Sequence, residues 1–99
     1  MAKVNWTFQA LEDLSDIAEL LAQNSSSYAS HLVKLILEKT DLLQSFPELG
    51  RVAPELKIKS IRELVIKKYR LIYMLSSDKE VNILAVRHSS KPLGDIPST

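Results

Sequence analysis

Apolar positions along this chain change their period partway, and the change divides it into a helical half and a strand half. Lys3 to Trp6 alternates polar and apolar residues, enough for one short strand. Ala10, Leu14, Ile17 and Leu21, with Leu11 and Ala18 beside them, recur at spacings of three and four, the signature of one buried helix face. Thr7 is placed to cap that helix, because a hydroxyl just before the first turn can accept from a free helical N–H. Glu12 and Asp13 lie toward the positive end of its dipole. Asn24 and the serines Ser25 to Ser27 interrupt the pattern and offer both a stop and the next cap. A second helix is expected from about Ser27 to Ser45, with Ala29, Leu32, Val33, Ile36, Thr40 and Leu43 on its main stripe and Leu35, Leu42 and Phe46 widening it. The short break makes the two helices an antiparallel hairpin. Pro47 disfavours helical geometry at Phe46, so the helix stops there, and Glu48 to Pro54 reads as a loop in which Gly50 is free to take a positive φ.

From Ser60 the period becomes two, in the runs Ser60 to Ile66, Tyr69 to Leu75 and Glu80 to His88, with Lys67-Lys68 and the polar stretch Ser76 to Lys79 as turns. The order strand, helix, helix, three strands predicts a single two-layer α+β domain over residues 1–99, a helical hairpin packed on one face of an antiparallel sheet. The tail from Ser89, with Pro92, Gly94 and Pro97, is expected to be irregular or frayed at its end. Simple alternation in the last two strands places Leu71, Tyr73, Leu84 and Val86 on one face and Ile72, Met74, Ile83 and Ala85 on the other. One set belongs under the helices. No helix remains for the other, so an exposed apolar face is expected, and a bound partner to cover it. Burying each such side chain is worth about 1.5–3 kcal/mol, which makes a partner a better expectation than a solvated face or closure by the tail.

Composition bounds the chemistry. With 99 residues, 45% hydrophobic and 25% charged, the chain supports one globular core. It has no Cys, which excludes disulfides and thiolate chemistry and fits a cytoplasmic protein. Two His and no Cys give no metal-ligand spacing, and two Gly give no phosphate-cradling loop, so no metal and no cofactor are expected. No apolar run approaches the roughly 20 residues of a membrane span. The net charge of +1 hides an asymmetry: residues 1–50 hold Lys3, Lys34 and Lys39 against seven acidic residues, whereas residues 51–99 hold ten Lys or Arg against Glu55, Glu63, Asp78, Glu80 and Asp95. Such a basic half suits an acidic partner or a phosphate backbone, or a sheet edge guarded by Lys and Arg. If Leu75 faces Glu80, Arg70 lies opposite Ala85 on the same face as Arg87. Two guanidiniums there can grip phosphate or carboxylate oxygens, or each can pair with a local carboxylate such as Glu63. His88, at the end of the last strand, is the candidate general acid or base, or a strand-end residue with a backbone partner. His31 is assigned no role.

Trp6, Ala10, Asp13-Leu14, Ile17-Ala18, Tyr28-Ala29 and Phe46-Pro47-Glu48-Leu49-Gly50-Arg51 resemble, in order, the N-terminal half of ParE-type toxins of type II toxin–antitoxin systems. Arg62-Glu63-Leu64, Tyr69-Arg70-Leu71-Ile72-Tyr73, Val81-Asn82-Ile83-Leu84 and Val86-Arg87-His88 are similar to the strands shared by ParE and RelE toxins. The resemblance covers nearly the whole chain and implies the RelE/ParE-like fold, which hosts two activities. RelE-like members are ribosome-dependent endoribonucleases that cut messenger RNA. Arg70 matches an arginine of that motif, and His88 lies where some relatives place a catalytic His, so these two are the catalytic candidates on that reading. The paired lysines of many RelE-like members are not matched, because Arg62-Glu63 stands in their place, and a carboxylate facing a phosphate repels it. ParE-like members share the Phe-Pro-Glu-Leu-Gly-Arg turn, and that resemblance implies a non-enzymatic toxin that poisons DNA gyrase and is neutralised by a cognate antitoxin. The antitoxin or target is then expected at Arg51, Arg62, Arg70, Ile72, Met74, Ile83 and Arg87. A binding module without toxicity is the third reading.

Overall fold

Both helices start where hydroxyl caps stand. In a computed structural model, which describes residues 1–77 and 79–94, Thr7 has extended backbone and its hydroxyl accepts from the Ala10 N–H, opening the helix Phe8–Ala22 (α1). The same hydroxyl donates to the Ile83 carbonyl at 2.7 Å, so one residue caps the helix and ties it to the sheet. Ser25 repeats the device by accepting from the Tyr28 N–H, which opens Ser26–Asp41 (α2). The expected end at Ser45 is reached by a tighter winding, a single 3-10 turn over Leu42–Gln44 before Pro47. Asp13 lies beyond the first turn of α1 and accepts from the Val86 N–H at 3.0 Å, a second tether between hairpin and sheet.

The strand half contains Ile61–Ile66 (β3), Tyr69–Ser77 (β4) and Glu80–His88 (β5), joined as antiparallel neighbours. Two further strands extend it. Lys3–Trp6 (β1) pairs in parallel with β5, and the two residues Arg51–Val52 (β2) pair with β3, giving the order β1-β5-β4-β3-β2. The sheet is therefore five-stranded and mixed. Part of the last turn, at residue 78, lies outside the described residues. The main core lies between hairpin and sheet, where Ala10, Leu14, Leu32, Ile36 and Leu43 meet Ile66, Leu71, Tyr73, Val81, Ile83 and Val86.

Three expectations need correction here. The register does not run straight: Arg70 pairs with Arg87 and Ile72 with Ala85, but Tyr73 pairs with Ile83, so Leu84 is an extra residue on β5. A bulge of this kind shifts alternation by one. Ile83 consequently faces the helices and Leu84 the opposite side, the reverse of simple alternation. A second shift near Leu75, which pairs with Val81 and not Glu80, accompanies it.

The second correction concerns the face that was expected to be open. Ile72, Leu84 and Ala85 are buried there against Ala53, Ile61 and Leu93, with Leu56 and Met74 packed around them. The chain supplies its own cover, a strap formed by the segment after β2 and the tail as far as Leu93. Ala53 and Lys57 close the strap, the Lys57 N–H donating to the Ala53 carbonyl at 3.0 Å. The tail has no regular structure up to residue 94, as expected, yet it packs through Leu93, while its end at 95–99, where fraying was expected, lies outside the described residues. The third correction is Gly50, whose φ is not positive. A Cβ there would lie 2.5 Å from the Glu63 carbonyl oxygen, so the residue is glycine because two backbones touch.

Candidate functional site

Pleating brings three charged positions together at one end of the covered face. Arg70 on β4, Glu63 on β3 and Arg51 on β2 all point to the strap side, and Arg87 lies directly across the ladder from Arg70. Glu63 is fully buried. Its Oε2 accepts from Arg51 Nε at 2.7 Å, and Arg70 Nη1 stands 3.3 Å from its Oε1. Arg70 Nη2 also donates to Glu55 Oε2 at 2.7 Å and to the Lys91 carbonyl at 3.3 Å. Glu55 comes from the strap and Lys91 from the tail, so Arg70 is the pin that fastens both covering segments to the sheet. The guanidinium beside Glu55 holds that carboxyl below its ordinary value. Burial leaves Arg70 Nε and Glu63 Oε1 without a hydrogen bond, although the opposite charges are adjacent.

The local-pairing alternative for Arg70 is therefore the one realised, with Glu63 as partner. Arg51 keeps 67% of its side chain exposed while holding Glu63, and it is the arginine of the cluster most open to an outside group. Arg62 stands apart. Its side chain lies on the helix side of β3 and donates to the Gly50 carbonyl at 2.9 Å and, more weakly, to that of Glu48 at 3.4 Å. Met74 is partly buried, and Ile72 and Ile83 are fully buried on opposite faces, so these three do not form one apolar surface.

His88 is exposed and pairs across the ladder with Tyr69, whose ring it meets edge-on at 5.6 Å between centroids. Its Nδ1 lies 2.8 Å from the Ser90 hydroxyl and accepts from the Ser90 N–H at 3.2 Å. Tyr69 packs against the helix-side core, so His88 lies on that face while Arg70 points to the other. A strand's alternation separates the two catalytic candidates. Among the described residues no group of His, Asp or Glu could hold a metal, and no helix is long and apolar enough to cross a membrane.

Two residues escaped the sequence reading. Tyr73 lies under the Phe46–Gly50 turn, where its hydroxyl accepts from the Gly50 N–H at 2.8 Å and donates to the Pro47 carbonyl at 2.9 Å. Burial pushes its pKa up, opposed by the Gly50 N–H and by Arg62. Glu55 carried no signal, since an acidic residue in a basic loop reads as solvated.

Residues 4–93 match the family described as the ParE toxin of type II toxin–antitoxin systems. Toxin RelE2 of Caulobacter vibrioides is 33% identical over 91 residues, covering 92% of this chain and 99% of that protein. The protein Y4kP of Sinorhizobium fredii is 31% identical over 87 residues, covering 88% of each. A solved structure of the chromosomal ParDE system from P. aeruginosa has the same fold, with a TM-score of 0.74 at 23% identity over 89% of this chain and 96% of that one. By the extent of these matches the chain belongs to the ParE toxin family, within the RelE/ParE superfamily of type II toxins.

Proposed function

We propose that this toxin acts by poisoning DNA gyrase and is neutralised by a cognate antitoxin. The observation that supports this over message cleavage is the separation of Arg70 from His88. Cutting a phosphodiester needs charge stabilisation and proton transfer converging on one phosphate, held within a few tenths of an ångström of the productive geometry. Here the arginine is enclosed by Glu55, Glu63 and the Lys91 carbonyl, and the histidine lies on the other side of the sheet. Freeing Arg70 for a phosphate would leave the buried Glu63 with Arg51 alone to compensate its charge, and would break the contacts to Glu55 and the Lys91 carbonyl as well.

For the antitoxin, the closed sheet face moves the expected contact to the outer side of the hairpin. A groove of about 600 Å³ runs between α1 and α2, lined by Ala18, Ala22, Ala29, Val33 and Leu37. Small residues on its floor suit an amphipathic helix of the antitoxin, and Arg51, with 67% of its side chain exposed, is open to its acidic groups.

Purified toxin mixed with gyrase and supercoiled DNA is expected to accumulate cleaved, gyrase-linked DNA, while message on programmed ribosomes stays intact. The reading fails if message is cut in the ribosomal A site, DNA is untouched, and His88→Ala abolishes cutting. That variant alters an exposed side chain, so loss of folding does not confuse the outcome.

A further inference from the structure

The end of the sheet at the β3–β4 turn carries positive charge that its own surroundings leave uncompensated. Lys67 and Lys68 form the turn between Ile66 and Tyr69, and both are exposed. The Ser89 N–H donates to the Lys68 carbonyl at 2.8 Å, which brings the start of the tail beside the turn. The Lys91 N–H donates to the His88 carbonyl at 3.0 Å, and this keeps the exposed Lys91 at the same end. Among the described residues, none of these three lysines makes an ion pair or a side-chain hydrogen bond. Asp13 and Asp16 of α1 line a cleft with His88 and Lys91, but Asp13 is already engaged by the Val86 N–H, and the turn lysines lie outside that cleft.

The backbone singles out lysine at this turn a second time. Among the described residues only Lys57 and Lys67 have a positive φ without being glycine, at 53° and 56°. Lys57 is exposed and stands two residues along the strap from Glu55, whose carboxylate meets Arg70. Glycine takes left-handed geometry without steric cost, and it dominates the first position of a two-residue hairpin turn such as that of Lys67. Backbone demands alone therefore do not account for a lysine there, whereas a use for its ammonium group does.

We propose that Lys67, Lys68 and Lys91 grip the phosphate backbone of the duplex DNA that gyrase holds, so that the toxin binds the gyrase–DNA complex more tightly than gyrase alone. Ammonium groups on flexible stems meet phosphates as point charges, and displaced counterions drive the contact. Single-stranded message fits this surface less well, because its bases are held by flat rings open to stacking. Tyr69, the ring beside the turn, is instead packed against the helix-side core. None of the three lysines lines the hairpin groove, so the DNA contact and the site proposed for the antitoxin use different side chains. The proposal rests on the gyrase reading above.

The test measures toxin binding to purified gyrase with and without duplex DNA, over a range of salt. It compares wild type, a triple variant carrying Lys67→Gln, Lys68→Gln and Lys91→Gln, and, as a control, Lys39→Gln at an exposed position of α2. Wild type is expected to bind the DNA-loaded enzyme at least about tenfold more tightly, with a log–log salt slope steeper by about 3, near 0.9 for each phosphate neutralised. The triple variant is expected to lose that difference, while its binding to DNA-free gyrase and to the cognate antitoxin changes by less than about threefold. Lys39→Gln should behave as wild type. Lys67→Gly separates charge from fold: it should melt no lower than wild type, yet gain less from DNA. Wild-type affinity that is the same with and without DNA overturns the proposal, as does an undiminished gain in the triple variant or an equal loss of antitoxin binding. Gyrase poisoned by the wild type in any of those cases leaves the gyrase reading standing. If wild type cuts message on ribosomes and leaves gyrase and DNA untouched, the gyrase reading falls and the duplex contact falls with it.

Discussion

A methyl group on Gly50 would sit 2.5 Å from the Glu63 carbonyl oxygen and 2.8 Å from the Tyr73 hydroxyl, and the first of these is backbone that cannot swing away. Gly50→Ala is therefore expected to destabilise the fold by about 1–3 kcal/mol, the usual range for overpacking a tight site. A fall in Tm of at least about 4 °C should follow for a domain of this size, and an unchanged Tm would show that β2 can move off β3 without loss. The same residue illustrates what is legible locally. That a glycine stands in the turn before Arg51 is plain from the sequence, but its reason is a contact with a strand 13 residues further on. Glu63 is similar. Its alternation with Ile61 and Val65 places it on a definite face, and only the packing of Arg51 and Arg70 around it makes a buried carboxylate tolerable.

At the scale of elements, the hairpin between β3 and β4 turns through two lysines, and Lys67 has a φ of 56°. A two-residue hairpin turn with positive φ at its first position is where glycine dominates. Left-handed geometry costs a residue with a side chain roughly 1–2 kcal/mol, while glycine's extra freedom in the unfolded chain costs roughly 0.5–1. The first effect is the larger. Lys67→Gly is expected to raise the urea midpoint, by a stability gain of up to about 1 kcal/mol, with an unchanged denaturant slope. A lowered midpoint would mean that the lysine side chain contributes more than its backbone strain costs. Helix caps and strand runs were legible because each depends on residues within four positions of one another. β2 was not, since two residues become a strand only when a partner strand arrives.

For the whole molecule, the closing of the second sheet face depends on charge as well as on apolar packing. Leu93 and the strap bury Ile72, Leu84 and Ala85, and Glu55 reaches Arg70 from the strap. Because Arg70 holds the Glu55 carboxyl below its ordinary value of 4.5, this contact stabilises the fold above that pH and is lost as pH falls through the lowered value. Glu55 is partly exposed, so the effect is modest. Glu55→Gln is expected to melt below wild type at pH 7, with the gap narrowing as pH drops below 4.5. An equal gap at pH 7 and pH 3 would show that shape, not charge, fastens the strap.

Periodicity, caps and the ordered resemblance were enough to determine the α+β class, the helical hairpin, four of the five strands and the family, because these are written in neighbouring residues. Tertiary structure alone decided which side each charged residue serves. The Leu84 bulge exchanges Ile83 and Leu84 between faces, Glu63, Glu55 and the Lys91 carbonyl enclose Arg70, and the chain's own strap closes the surface that alternation left open. Each of these turns on the register and reach of segments far apart in sequence, where a shift of one residue reverses the face.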